Sequence, residues 1–99
     1  MSEFVHSEPR PGVLTLGGEM TIGYAREMRD VLLHALSRHE QLEIDLLNVT
    51  TFDTAGVQLL LLLHHEANAC GKPLHWLGYS LAVEEVLELL NLAEILGQR

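Results

Sequence analysis

An acid, a hydroxyl and a glycine stand in order where a hydrophobic segment gives way to a leucine-rich one. Asp53, Thr54 and Gly56 belong to the sequence F-D-T-A-G-V at positions 52–57. Aspartate is a favourable helix N-cap here, because its carboxylate can accept hydrogen bonds from amides of the first turn. Thr54 then falls in that turn, where free N–H groups and the helix dipole favour an anion. A phosphate on Thr54 would be tolerated and would change the surface that a partner meets, which is the chemistry of a switch more than of a catalyst.

Two of these residues also have a purely structural interpretation. A threonine at a helix N-terminus can simply hydrogen-bond to nearby backbone. Gly56 costs about 1 kcal/mol relative to alanine inside a helix, so it needs a reason. Close approach by a neighbouring element and close approach by a partner both supply one, and the sequence leaves the two open.

The five leucines at 59–63 are more than one buried helix face needs. A helix on a sheet requires about three apolar residues in seven. Simple burial and an exposed protein-binding patch both explain the surplus, and in the second case Gln58 and Leu61 continue the surface that begins at Thr54. The ordinary core stripe consists of Leu59, Leu60, Leu63, Ala67 and Cys70, and it is widened by Leu61 and Leu62.

Length, charge and cysteine content set the broad class. The 99 residues predict a single domain over 1–99, and a net charge of −8 makes nucleic acid or an anionic membrane an unfavourable ligand. A single cysteine excludes an internal disulfide and suits a reducing cytosol. The first ten residues are charged and lack an apolar signal region, and no apolar run approaches a membrane span. We therefore expect a cytoplasmic protein.

Neither metal chemistry nor catalysis is indicated. His64 and His65 are adjacent, so on a helix they point about 100° apart and cannot readily chelate one ion. No pair of histidines on a predicted helix has the i, i+4 spacing of a zinc motif. Ser80 lacks the surrounding G-x-S-x-G, and the glycines at 17–18 lack the Lys-Ser/Thr of a phosphate-binding loop. We expect no cofactor, no metal and no enzymatic activity.

The elements that must position this segment alternate between strands and helices. Hydrophobic periodicity and turn residues predict the order β-β-α-β-α-β-α. A helix joins the strands at 42–46 and 74–77, so these two strands should be parallel. The predicted strands are 4–6, 13–16 (ended by the glycines at 17–18), 42–46 (followed by a turn at Asn48) and 74–77. The predicted helices are Thr21–Arg38, 54–70 with Gly71 as its C-terminal residue, and one capped by Ser80 that runs through Leu90, with one more turn at 93–96. The buried face of the first helix is Tyr24, Met28, Val31, Leu32, Ala35 and Leu36.

Several short motifs resemble, in order and at the right spacing, those of the STAS family, the fold of anti-sigma factor antagonists. The sequence G-E-M-T at 18–21 resembles the family's G-E-L turn, and D-L-L-N-V at 45–49 resembles its D-L-S-x-V strand end. F-D-T-A-G-V resembles D-S/T-x-G-L, and the resemblance extends from about Val13 to Leu96. It implies an α/β fold, with a mixed four- to five-stranded sheet and helices packed mainly on one face.

The resemblance also implies a function. The hydroxyl residue after the motif aspartate is the one phosphorylated in the family by a serine kinase of the GHKL type, and here it is Thr54. In that family, the unphosphorylated form binds the kinase/anti-sigma partner and the phosphorylated form releases it. A phosphatase then removes the phosphate, and the cycle regulates transcription. The expected partner-binding residues are Asp53, Ala55, Gly56, Gln58, Leu61, Glu19, Thr21, Asn48 and Thr51.

Three departures keep alternatives open. Ala55 stands where many antagonists carry a second hydroxyl, threonine replaces serine at 54, and Asn48 stands where serine is common. The D-T-A-G form also resembles small STAS subunits of bacterial lipid-transport ABC complexes, in which the threonine contacts a partner without phosphorylation. STAS modules beside chemotaxis-type histidine kinases are similar again. The antagonist is the leading hypothesis, and the oligomeric state is left open.

Overall fold

A four-stranded mixed sheet organises the molecule. The computed structural model describes residues 3–92, and its strands are β1 (Phe4–Arg10), β2 (Val13–Met20), β3 (Leu42–Phe52) and β4 (Leu74–Tyr79), in that spatial order. β1 is antiparallel to β2, whereas β2, β3 and β4 run parallel. The predicted α/β fold, the mixed sheet and the parallel pairing of β3 with β4 are confirmed.

Helices connect the parallel strands. A 3-10 turn (Ile22–Tyr24) leads into α1 (Ala25–Arg38), so the helix predicted from Thr21 has an irregular first turn. α2 (Thr54–Cys70) follows β3 directly, and α3 (Leu81–Leu89) follows β4. This order places the start of α2 at the carboxyl end of β3.

The helix ends are fixed by local hydrogen bonds. α2 ends with Gly71 in the left-handed conformation, and the Gly71 N–H donates to the Asn68 carbonyl at 3.1 Å. The Ser80 hydroxyl accepts from the Val83 N–H at 3.2 Å and caps α3 as predicted. Asn91, with φ of 57°, ends that helix. The further turn predicted at 93–96 lies outside the described residues.

The core lies on one face of the sheet. Leu42, Ile44 and Leu46 of β3 are completely buried and alternate with Glu43 and Asp45, which therefore point to the other face. All three helices contribute to the same cluster as these strand residues, so the helices gather on one face as expected. Their buried members include Met28, Leu32, Ala35, Leu36, Leu59, Leu60, Leu63, Ala67, Val83 and Leu87, with Tyr24 and Val31 half-buried against them.

All four strands are longer than predicted: β1 runs to Arg10 and β4 to Tyr79, beyond the predicted ends at 6 and 77. β2 continues through the glycines at 17–18 to Met20, and β3 continues through Asn48 to Phe52, so the turn predicted at Asn48 is wrong. The pairing of β3 with β2 slips by one residue before Asn48 and again before Thr51. Such β-bulges absorb an extra residue while the ladder continues, and they interrupt the apolar alternation that indicates a strand.

Gly18 explains why the glycines do not end β2. It has φ of +74°, and a Cβ there would collide with the Glu3 carbonyl. Glycine at this position therefore allows β1 to approach β2 closely instead of breaking the strand.

The stripe predicted on α2 is one turn too long. Ala67 is buried, but Cys70 is exposed along with the rest of the last turn, so the placement of Cys70 in the core is wrong. Leu61 and Leu62 are half-buried against the core. Burial therefore accounts for most of the leucine run.

Glu8 ties the β1–β2 hairpin to the end of α1. Its carboxylate lies 2.8 Å from His39 Nε2 and 3.4 Å from Arg38 Nη1, and it accepts the Gly12 N–H at 3.3 Å. Burial has the largest single effect on the pKa of Glu8 and raises it. The Gly12 amide, His39 and Arg38 lower this pKa and together outweigh burial. The net effect is that the pKa of Glu8 lies below its usual value.

We expect Glu8→Gln to lower the free energy of unfolding near pH 7, and the deficit to shrink as the pH falls. A carboxylate with a lowered pKa in the folded state stabilises the fold above its unfolded-state pKa of about 4.3, and loses that contribution as the pH falls through the folded-state value. Urea unfolding of both proteins between pH 3 and pH 7 measures the effect. Glu40→Gln, at an exposed position, is the control. A deficit that does not change with pH would contradict the assignment.

Candidate functional site

The Asp53 carboxylate joins two elements at the carboxyl end of the parallel strands. Its Oδ1 accepts the N–H groups of Ala55 at 2.9 Å and Gly56 at 3.3 Å, which caps α2. Its Oδ2 accepts the Ile22 N–H at 3.1 Å, at the start of the 3-10 turn. One side chain therefore holds the end of the β2 connection against the beginning of α2.

Gly56 lets the first turn of α2 lie directly on the strand ends. A Cβ at this position would lie 2.7 Å from the Met20 carbonyl oxygen and 2.7 Å from Cε1 of Phe52. Both contacts are shorter than van der Waals distance, and one of them is to backbone that cannot turn aside. Of the two explanations that the sequence left open, close approach by a neighbouring element is the one observed.

The hydroxyl of interest lies at the surface. Thr54 and Gln58, one turn apart on α2, are exposed, whereas Ala55 and Gly56 between them are buried. The Asp53 carboxylate beside Thr54 already uses both oxygens to accept amide hydrogens, so it is a poor candidate for a general base. Thr54 is therefore an exposed hydroxyl residue beside a carboxylate whose two oxygens are already hydrogen-bonded to backbone amides.

Three further predicted residues border this end of the sheet. Glu19 and Thr51 are paired across β2 and β3, one residue before each strand ends at Met20 and Phe52. Thr51 is exposed, and Glu19 and Thr21 are half-buried. The structure therefore brings Glu19, Thr21, Thr51 and Thr54 to one edge.

One predicted residue lies apart from that edge. Asn48 is exposed on the sheet beside Gly17, four residues before the end of β3, which is about 13 Å along a strand. Leu61 lies seven residues after Thr54 in α2, on the same helix face as Thr54 and Gln58 by helical spacing, and it is half-buried against the core.

Ile22 belongs to this edge and was missed from the sequence. Its side chain is 73% exposed, although its N–H is held by Asp53. The only signal in the sequence is that Ile22 falls outside the apolar stripe of α1. We give the name Thr54 surface to this edge, which is formed by the exposed Ile22, Thr51, Thr54 and Gln58 and the half-buried Glu19 and Thr21.

The described residues offer no metal centre at this edge or elsewhere. Within residues 3–92, no three or more His, Cys, Asp or Glu side chains gather closely enough to hold an ion. None of the helices in this part of the chain has the length and apolar character needed to cross a bilayer.

The fold and this edge together define a STAS domain. A family model described as "Mlab, STAS domain" matches residues 4–97, and the chain belongs to that family. No curated protein sequence was found to match it. The resemblance noted in the sequence is thereby confirmed at the level of the family.

Solved structures show the same fold at low sequence identity. An anti-sigma factor antagonist from Mycobacterium paratuberculosis is 15% identical with a TM-score of 0.78, over 96% of this chain and 82% of that one. The antagonist SpoIIAA in its unphosphorylated form is 18% identical with a TM-score of 0.71, over 93% and 84%. The phosphorylated form of SpoIIAA from Bacillus is 17% identical with a TM-score of 0.67, over 93% of this chain and 86% of that one. At these identities the likeness establishes the architecture.

We expect Gly56→Ala to lower the free energy of unfolding by roughly 1–3 kcal/mol, because the added methyl overpacks the junction. This outcome opposes helix propensity, which favours alanine by about 1 kcal/mol. Gly23→Ala is the matched control, since a Cβ there meets no atom within 4 Å. Chemical denaturation measures both. Gly56→Ala as stable as the wild-type chain would show that the close approach to Met20 and Phe52 imposes no constraint.

Proposed function

We propose that this chain is a non-enzymatic, cytoplasmic partner-switching module, an anti-sigma factor antagonist. It binds an anti-sigma factor/serine kinase of the GHKL type through the Thr54 surface and is released when Thr54 is phosphorylated. The supporting observation is the exposed Thr54 at the first turn of α2, beside a carboxylate committed to holding the backbone. The similar structures include anti-sigma factor antagonists, and one of these, SpoIIAA, is known in both its unphosphorylated and its phosphorylated form, which agrees with the proposal.

The position of Thr54 suits reversible modification. Thr54 is exposed at the start of α2, where water can hydrate a phosphate and the helix dipole favours an anion, so the free domain tolerates the modification. On docking, the same phosphate brings close to two negative charges into an interface that must be desolvated. Phosphorylation thus weakens the complex more than it weakens the fold, and removal of the phosphate by a phosphatase restores docking.

A second candidate uses the same surface without phosphorylation. It is an accessory subunit of a bacterial lipid-transport ABC complex, and it is favoured by the D-T-A-G form in which Ala55 is buried and offers no second hydroxyl. In that role Thr54 is a permanent contact, and the protein copurifies with an ATPase and a membrane permease. The Thr54 side chain stays unmodified.

Replacement of Thr54 separates these roles. We expect Thr54→Asp to weaken binding to the kinase at least tenfold because it places a charge in the contact, while Thr54→Ala binds and resists release by ATP. The GHKL-type serine kinases of the source organism are purified and titrated with each variant by calorimetry. Mass spectrometry after incubation with ATP reports phosphate on Thr54.

Asn68→Asp is the matched control, because it adds a charge near the far end of α2, about 21 Å along the helix from Thr54. It should bind like the wild-type chain. Wild-type affinity and release in both Thr54 variants would refute the switch. Copurification with an ATPase and a permease, with Thr54 unmodified, would favour the accessory subunit.

A further inference from the structure

Ile22 is an exposed apolar side chain on a backbone that is firmly held. It is 73% exposed, while its N–H donates to Asp53 Oδ2 across 31 positions of sequence. A single apolar residue on a surface is ordinary and by itself indicates nothing. What distinguishes Ile22 is the long-range hydrogen bond that its N–H donates to Asp53, the residue that also caps α2.

Its location separates it from the other exposed apolar side chains. Among the described residues, these lie either on the sheet face away from the helices or on α3. Ile22 instead lies on the Thr54 surface, one residue from Thr21 and bonded to the neighbour of Thr54. The other large exposed side chains are Val5, Leu47 and Leu77 on the strands and Leu81, Leu89 and Leu90 on or next to α3.

The conformation of Ile22 suits insertion into a pocket. A β-branched side chain has few rotamers to lose on binding, and the bond to Asp53 fixes its backbone in advance. Gly23, the next residue, has open space around it, since a Cβ there would meet nothing within 4 Å. A partner can therefore reach the isoleucine from the side of Gly23.

The charge of the surroundings favours a protein over a membrane as the occupant. The carboxylate of Asp53 holds the Ile22 N–H, and the chain carries a net charge of −8. Anionic lipid headgroups would be repelled, whereas an apolar protein pocket with a neutral or basic rim would not.

We propose that Ile22 is the apolar anchor of the Thr54 surface, filling an apolar pocket on the kinase, and that Asp53 is its positioning residue. The inference rests on the proposed function, since it names the contact by which the same partner is held. Asp53 thereby has two separable roles, the cap of α2 through Oδ1 and the tether of Ile22 through Oδ2.

Asp53→Asn separates the two roles of Asp53. An asparagine carbonyl can still accept from Ala55 and Gly56 and cap the helix, but its NH₂ group cannot accept the Ile22 N–H. Amide hydrogen exchange of the free chain, followed by NMR, should accelerate at Ile22 and stay unchanged at Ala55 and Gly56. Unchanged protection of Ile22 would refute the tether without any partner being needed.

Ile22→Ser tests the anchor. The kinase that binds the wild-type chain should bind this variant at least about tenfold more weakly, the loss expected when an anchor is removed. Leu81→Ser is the matched control, because Leu81 is 70% exposed but lies on α3, and it should bind normally. If Asp53 acts through Ile22, adding Asp53→Asn to Ile22→Ser should cost no further affinity.

The outcomes separate the anchor from the switch. Normal binding by Ile22→Ser, with binding lost in Thr54→Asp, would overturn the anchor and leave the proposed function standing. Equal losses in Ile22→Ser and Leu81→Ser would overturn the anchor as a specific contact. If the wild-type chain binds phosphatidylglycerol vesicles and Ile22→Ser does not, then Ile22 contacts a membrane and the protein pocket is refuted. Absence of binding to any kinase by the wild-type chain would refute both proposals.

Discussion

The Thr54 surface depends on one carboxylate that accepts hydrogen bonds from three backbone amides. Asp53 receives two of them from α2 and one from the 3-10 turn that follows β2. A carboxylate with both oxygens occupied is held in a single orientation, and it holds in turn the two segments that donate to it. The exposed Thr54 and the exposed Ile22 therefore have fixed relative positions, although neither packs into the core.

Close packing beneath that edge makes the arrangement rigid. Gly56 brings the backbone of α2 against Met20 and Phe52, the last residues of β2 and β3, so no side chain separates the helix from the sheet. A surface built on such a junction cannot adjust to a partner by moving the helix. In the proposed function, control then comes from a chemical change at the surface, and the exposed Thr54 carries a hydroxyl that can undergo one.

The sequence predicted the features that depend on local interactions. The bounds of α2 and its caps at Asp53 and Gly71 follow from side chains within a few residues, and so does the Ser80 cap of α3. The lengths of β2 and β3 were underestimated because bulges depend on the neighbouring strand. Ile22 was missed for a related reason, since its exposure is set by where a residue 31 positions away places its carboxylate. Contacts between distant parts of the chain leave little trace in hydrophobic periodicity.

The distance in sequence between Asp53 and Ile22 has a consequence for how the protein matures. Their hydrogen bond closes a long loop, which can be held shut only after α1 has formed and β2 has paired with β3. A nascent or partly unfolded chain has the same residues but not their arrangement. In the proposed function, the Thr54 surface is therefore complete only in the folded chain, and a partly folded copy lacks the arrangement that the partner would bind.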